Sequence, residues 1–462
     1  MGEAGFQQIM KSISKLDMAQ WIGRVSGVEN GLVQVKGLQA FSGQGDQVEI
    51  QLRDGVVMIG EVLRLLEDKM IVLPESSPDG VALGDRVVLC AGATIAPNDA
   101  WIGRIIDPMG RPLDGRALPV GGLQMSLKAA PISPAQRTLL GGRLETGMAT
   151  FNTLLPLAKG QRIGLFAGSG VGKSSLLAKF ATGVEADVVV LALIGERGRE
   201  LAEFVQNVLG PEGLARTVIV AATADQSPLL RRRCAWSAMA VAEYFRDQGK
   251  HVLLLADSVT RFAEAHREVA VATGELPTMR GYPPSLSHQL MSLCERAGPG
   301  RTTSGAITAV FSVLVAGSDM DEPVSDILRG VLDGHIVLDR AIAERGRYPA
   351  VNLLRSISRS LPAAADVAEN QLIDQVRQIL NLYEKSEVMI DAGLYEVGRN
   401  EALDRAIAAW PEIDAFLAMT QEQGVRQSFD KLKLILRKAN GSVQGQAARV
   451  GHDGMRRLPT PQ

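Results

Sequence analysis

Ala167-Gly168-Ser169-Gly170-Val171-Gly172-Lys173-Ser174 constrains this chain more than any other stretch of it. Arg162-Ile163-Gly164-Leu165-Phe166 comes before it and reads as a buried strand. Ser175-Leu176-Leu177-Ala178-Lys179-Phe180 follows and reads as the first turns of a helix. Strand, glycine loop and helix in that order are the setting of a P-loop. The glycines let consecutive backbone N–H groups turn toward one point, and the helix N-terminus adds its positive end, so the loop is built to hold phosphate. Lys173 would reach the β/γ-phosphates as a mobile point charge, and the Ser174 hydroxyl is placed to coordinate Mg²⁺. Ala167 stands where the strict pattern has its first glycine, a position that accepts a small residue. A glycine loop alone can be a mere turn. Lys-Ser and the two flanking elements argue against that here.

With 462 residues the chain has room for two or three domains and a substantial core. A hydrophobic fraction of 46% and a charged fraction of 22% are those of an ordinary globular protein. The net charge of −2 provides no overall basic field for nucleic acid. Cys90, Cys234 and Cys294 lie far apart, without ligand-like spacing. That argues for a reducing compartment and against a disulfide framework or a zinc site. No apolar run approaches a membrane span, and the N-terminus lacks the layout of a secretory signal, so a cytoplasmic protein is expected.

In residues 1–20, Phe6, Ile9, Met10, Ile13 and Leu16 share one helical face. The pattern fits a docking or membrane-surface helix, or a short terminal helix packed on its own protein. Residues 21–90 hold short β-type runs at 32–35, 47–52, 56–59, 69–73 and 86–89, separated by turn residues, which predicts a small β-barrel. Few aromatics and no basic stripe favour an assembly role for it over nucleic-acid binding. Residues 91–150 are a Gly- and Pro-rich connector. Through 151–364, apolar strands at 161–166, 187–194, 217–221, 251–256 and 307–315 alternate with helical stretches, the pattern of a parallel sheet covered on both faces. Residues 365–440 are helical, with Ile373, Val376, Ile379, Leu380 and Tyr383 in register, and 441–462 read as a flexible tail. The expected fold is therefore α/β, a P-loop parallel sheet with an N-terminal β-barrel and a C-terminal helical domain.

Three places carry further candidate chemistry. His251-Val252-Leu253-Leu254-Leu255-Ala256-Asp257 is an apolar strand ending in a carboxylate, the form of a Walker B element whose Asp holds Mg²⁺, although such an Asp is often only a helix cap. The strand 187–194 runs into Gly195-Glu196-Arg197-Gly198-Arg199-Glu200. Glu196 leaves the sheet at the P-loop edge, where it would orient an attacking water or sit in a solvated charge cluster. In Arg347-Tyr348-Pro349 and Ser356-Ile357-Ser358-Arg359, the tyrosine suits base stacking and the arginine suits a finger or a surface ion pair.

Taken in order, the P-loop, Ile194–Glu200, Ala256-Asp257-Ser258-Val259-Thr260-Arg261, Gly281-Tyr282-Pro283-Pro284-Ser285, Asp333-Gly334-His335-Ile336-Val337-Leu338 and Ser356–Arg359 resemble the ATPases of type III protein export. Within these, the match is best to the flagellum-specific branch. These ATPases are relatives of the catalytic subunit of rotary ATP synthases, and the resemblance runs from Trp21 to about residue 435. It implies a RecA-like core in a homohexameric ring with active sites between subunits, using ATP and Mg²⁺. Glu196 would be the catalytic glutamate and Arg359 the finger given to the next subunit. Lys173, Ser174 and Asp257 would hold phosphate and Mg²⁺, Tyr348 would stack on adenine, and Arg197 and Arg261 would lie near the γ-phosphate. The nucleotide-binding loop would comprise Ala167, Gly168, Ser169, Gly170, Val171, Gly172, Lys173, Ser174 and Ser175. The 281–285 loop would face the ring opening, where a stalk protein sits. The implied partners are a regulatory protein and the inner-membrane export gate at the N-terminal segment, and chaperone–cargo complexes at the C-terminal helices. The implied location is the cytoplasm, peripheral to the export apparatus. Leu255-Ala256-Asp257 and Ser287-His288-Gln289-Leu290-Met291 depart from the family's usual forms, which leaves an injectisome ATPase as an alternative. A rotary ATPase subunit, a nucleic-acid translocase on the same core and an inactive scaffold are more distant ones.

Overall fold

The structure, a computed structural model, describes residues 20–90, 92–278, 280–315, 320–420 and 424–455, with side chains as far as Gly441. The helix expected at 1–20 lies outside the described residues, apart from Gln20.

Six antiparallel strands, β1 (Ile22–Glu29), β2 (Leu32–Lys36), β3 (Gln47–Gln51), β4 (Val57–Leu65), β5 (Met70–Pro74) and β6 (Arg86–Leu89), close into a barrel in the order β1-β2-β5-β4-β3-β6. Period-two alternation turns Val33 and Val35, Val48 and Ile50, and Met70 and Val72 inward, and these fill the barrel. Gly60 is required by close approach, since a Cβ there would sit 2.5 Å from the Val72 side chain. The sequence pattern had missed β1, because Gly23 and Gly27 interrupt its apolar alternation.

The connector is built into the core. β7 (Thr94–Ile95) pairs with β9 (Met125–Ser126), and β8 (Ile105–Ile106) joins the edge of the central sheet. Trp101, 2% exposed, anchors the segment and donates its indole N–H to the Pro119 carbonyl at 2.7 Å.

The central sheet contains β10 (Arg162–Ala167), β11 (Val188–Glu196), β12 (Thr217–Thr223), β13 (His251–Asp257), β14 (Gly298–Pro299), β15 (Ala306–Leu314), β16 (Gly334–Val337) and β17 (Ile357–Ser358). Its order is β17-β16-β10-β15-β13-β11-β12-β8, parallel except that β17 and β14 run antiparallel to their neighbours. Along β11, Val189, Leu191 and Leu193 point to one face, and Val188, Val190, Ala192 and Ile194 to the other. Both faces are covered, which is why these strands read as unbroken apolar runs. The first face packs on the helix Lys173–Gly183 and on C-terminal residues such as Phe416 and Leu432. The second packs on Trp236, Met239 and Phe245 of the helix Pro228–Asp247.

The C-terminal region is three helices, Val367–Asp391, Glu401–Ala418 and Gly424–Met455. The first begins with a capping box between Asp366 and Glu369. The last continues past residue 440, where composition had marked a tail, as far as Met455.

A buried clamp ties barrel to sheet. Glu61 of β4 accepts Arg232 at 2.9 Å and Lys128 at 3.1 Å. Arg233 donates to the Gln47 side chain at 2.8 Å and to the Pro108 and Thr94 carbonyls at 3.1 Å each. Burial would raise the Glu61 carboxyl, but Arg232 and Lys128 hold it below its ordinary value.

Candidate active site

All the parallel strands end on one edge, so β10, β11 and β13 deliver their last residues to the same place. After Ala167 the chain turns through Gly170 (φ 77°) and Gly172 (φ 85°) into the helix that starts at Lys173. Both glycines sit in the left-handed region that other residues avoid. Gly172 is required for a second reason. A Cβ there would lie 3.0 Å from the Tyr348 ring, which packs against the loop.

Register aligns Leu193 of β11 with Asp257 of β13, and Ala256 with Phe311 of β15. Asp257 is 4% exposed and accepts the Ser312 hydroxyl at 2.6 Å. Lys173 Nζ forms an ion pair with Asp257 Oδ1 and lies 3.9 Å from Glu196 Oε1. Burial, joined by the nearby Asp257 charge and opposed by Lys173, pushes the Glu196 carboxyl up to about 7. A carboxylate poised there is suited to accept a proton near neutral pH.

Lys173 and Glu196 open on a cleft of about 840 Å³, and Asp257 lines a smaller pocket beside it that Ser174 and Glu196 share. The loop from Ala167 to Ser175 forms one wall, except Val171, whose side chain is buried in the core beneath it. Glu196, Arg197, Glu200, Arg261 and Glu264 form the other wall, and Arg280, Tyr282 and Glu322 are also among the lining residues. Arg261 pairs with Glu264 at 2.8 Å, and the exposed Arg197 pairs with Glu200 at 3.1 Å.

One candidate is not brought to this place. Arg359 follows β17, whose Ser358 pairs with Gly334 at the start of β16, toward the end of the sheet opposite the P-loop. Its backbone N–H donates to the Asp333 carbonyl at 3.0 Å. Its exposed guanidinium donates to the Arg329 carbonyl at 3.3 Å. Sequence reasoning had missed Ser312, Thr260, Glu264 and Glu322. Thr260 Oγ1 accepts the Leu314 N–H at 2.9 Å and so ties the helix after β13 to the end of β15.

Residues 147–358 match the ATP synthase alpha/beta family, nucleotide-binding domain, and residues 365–436 match the T3SS EscN ATPase C-terminal domain. The sheet order, the loop and the cleft thus define a P-loop ATPase of the ATP synthase alpha/beta class. The flagellum-specific ATP synthase of Caulobacter vibrioides is 42% identical over 439 residues, covering 93% of this chain and 99% of the relative. That of Salmonella typhimurium is 41% identical over 419 residues, covering 88% and 91%. The assembled ATPase EscN of the enteropathogenic E. coli type III secretion system superposes with a TM-score of 0.81 at 34% identity, over 90% of this chain and 100% of that one. Within the class, the chain belongs to the flagellum-specific family of type III export ATPases. No described helix is long and apolar enough to cross a membrane.

Proposed function

We propose that this protein hydrolyses ATP with Mg²⁺ to energise type III protein export, most directly of flagellar components. The observation that carries the reading is the convergence of Glu196 and Asp257 on Lys173 of the P-loop, beside the cleft that the loop lines. Family membership supports both the reaction and its use in export.

In the mechanism, the loop N–H groups from Gly168 to Ser174 cradle the phosphates. Lys173 exchanges its Asp257 partner for the β/γ-phosphates and neutralises charge there. Glu196 accepts a hydrogen bond from the attacking water and takes its proton as the water closes on the γ-phosphate. The Ser174 hydroxyl and the Asp257 carboxylate are hard oxygen donors, and Ser312 orients the carboxylate. This set fits Mg²⁺, which is bound through few protein groups alongside substrate phosphates and water. The ion would supply charge neutralisation on the phosphates. Tyr348, already against Gly172, would stack on adenine.

Arg359 is exposed and lies far from its own P-loop, as a finger given to a neighbouring subunit requires. The assembled EscN and its complex with the central stalk EscO support a homohexameric ring around a stalk. The N-terminal regulatory partner, the export gate and the chaperone–cargo complexes remain part of this proposal, as does a location at the inner-membrane apparatus.

The test is the extracellular protein profile of the source cell carrying Lys173→Ala. A selective fall in filament proteins supports the flagellar role. Loss of other secreted proteins with filament proteins unchanged would move the assignment to an injectisome, and an unchanged profile would overturn export altogether.

A further inference from the structure

The segment between β16 and β17 carries Tyr348 against the P-loop, and the C-terminal helices hold that segment at two points. At its far end, Arg377 of the helix Val367–Asp391 donates to the Leu353 carbonyl at 3.2 Å and to the Ser356 carbonyl at 3.3 Å. At its near end the holding residue is Arg347, which is 7% exposed. Its Nη1 donates to the Pro349 carbonyl at 3.1 Å and its Nη2 to the Val351 carbonyl at 2.8 Å, so the side chain wraps the turn that presents Tyr348. Its Nε lies 3.0 Å from Asp414 Oδ1, on the helix Glu401–Ala418. The carboxylate sits off the N–H axis, so this contact is Coulombic more than a directed hydrogen bond. A cavity of about 450 Å³, lined among others by Asp339, Tyr383 and Trp410, flanks the pair, so close packing does not fix the turn on that side.

We propose that Asp414 is a positioning residue for the nucleotide base. Through Arg347 it holds the turn so that Tyr348 stays on Gly172 with its ring face presented to adenine. The inference rests on the reading of Tyr348 as the base-stacking residue. Burial pushes the Arg347 guanidinium below its ordinary value and Asp414 opposes that push, as expected of a buried charge that depends on its partner. The C-terminal helical region would then set affinity for the base while leaving the phosphate grip alone.

The test compares the binding of ADP and of pyrophosphate, both with Mg²⁺, by titration calorimetry on the full chain. Tyr348→Ala comes first and should weaken ADP alone. If it leaves ADP unchanged, the base-stacking reading fails and the inference falls with it. Given that result, Asp414→Asn should weaken ADP by about 5- to 10-fold and pyrophosphate by less than about twofold, with Asp414→Glu restoring ADP. Pyrophosphate binding doubles as the check that the variant is folded. Arg377→Gln, which loosens the same junction at its far end, should leave the ADP-to-pyrophosphate ratio unchanged. The inference is overturned if Asp414→Asn weakens both ligands equally or neither, or if Arg377→Gln shifts the ratio as much as Asp414→Asn does.

Discussion

At the P-loop end of the sheet, Lys173, Glu196 and Asp257 are drawn together and largely removed from solvent. At the other end, Arg359 faces outward beside the Arg329 carbonyl. The first group is assembled by one chain's own register. The second residue is held in place yet has no substrate within its own chain. On the proposed reading, the contrast teaches that one subunit would contain the means to bind nucleotide and only part of the means to hydrolyse it.

The largest effect should come from the exposed end. Arg359→Ala is expected to lower turnover by about 10³-fold or more with ADP affinity nearly unchanged, as measured by phosphate release and calorimetry. Glu196→Gln should follow, with a fall of about 10²- to 10⁴-fold and nucleotide still bound. The two ends can also be separated onto different chains. Lys173→Ala and Arg359→Ala proteins, each inactive, should regain measurable ATPase activity when mixed, because some interfaces pair an intact P-loop with an intact arginine. Failure to regain activity in rings shown to be mixed would break the comparison.

Stability at the foot of the sheet gives a smaller effect. β13 ends in Asp257 and begins with His251, whose Nε2 lies 2.8 Å from Thr308 Oγ1. Burial, helped by Lys159, pushes His251 down to about 4. Because the folded value lies below the ordinary 6.5, the folded state resists protonation. Its full stability is present above pH 6.5 and is lost as pH falls toward 4. Urea unfolding at pH 5 should show roughly 2 kcal/mol less stability than at pH 7.5 from this residue, and His251→Gln should reduce the difference. The smallest effect should be Ser312→Ala, which removes one of the two partners of Asp257 Oδ1 and should cost turnover about 3- to 10-fold, with ADP binding changed less.

The P-loop was legible because its signal is local. One strand, three glycines, a lysine and a serine lie within a dozen positions. Glu196 and Asp257 were legible as polar endings to apolar strands, and parallel strands bring such endings together at one edge. Ser312 carried no signal, being one small residue inside an apolar strand. Only the alignment of Ala256 with Phe311 puts it opposite Asp257. β8 was hidden for a related reason, since two isoleucines in a turn-rich connector become a sheet edge only by pairing with β12. β1 was hidden by its glycines. The outward position of Arg359 agrees with the surface residue its segment allowed, while the finger role came from the family resemblance and not from its neighbours in sequence.

Glu61, Arg232 and Arg233 rivet the barrel to the helix that backs β11 and β13. Sliding one past the other within the closed interface would leave buried guanidinium groups without their partners, at a cost of several kcal/mol. The barrel therefore cannot swivel freely on the nucleotide sheet. We infer that movement at the phosphate grip would be taken up on the opposite side, where the C-terminal helices share a core with the helix that follows the P-loop.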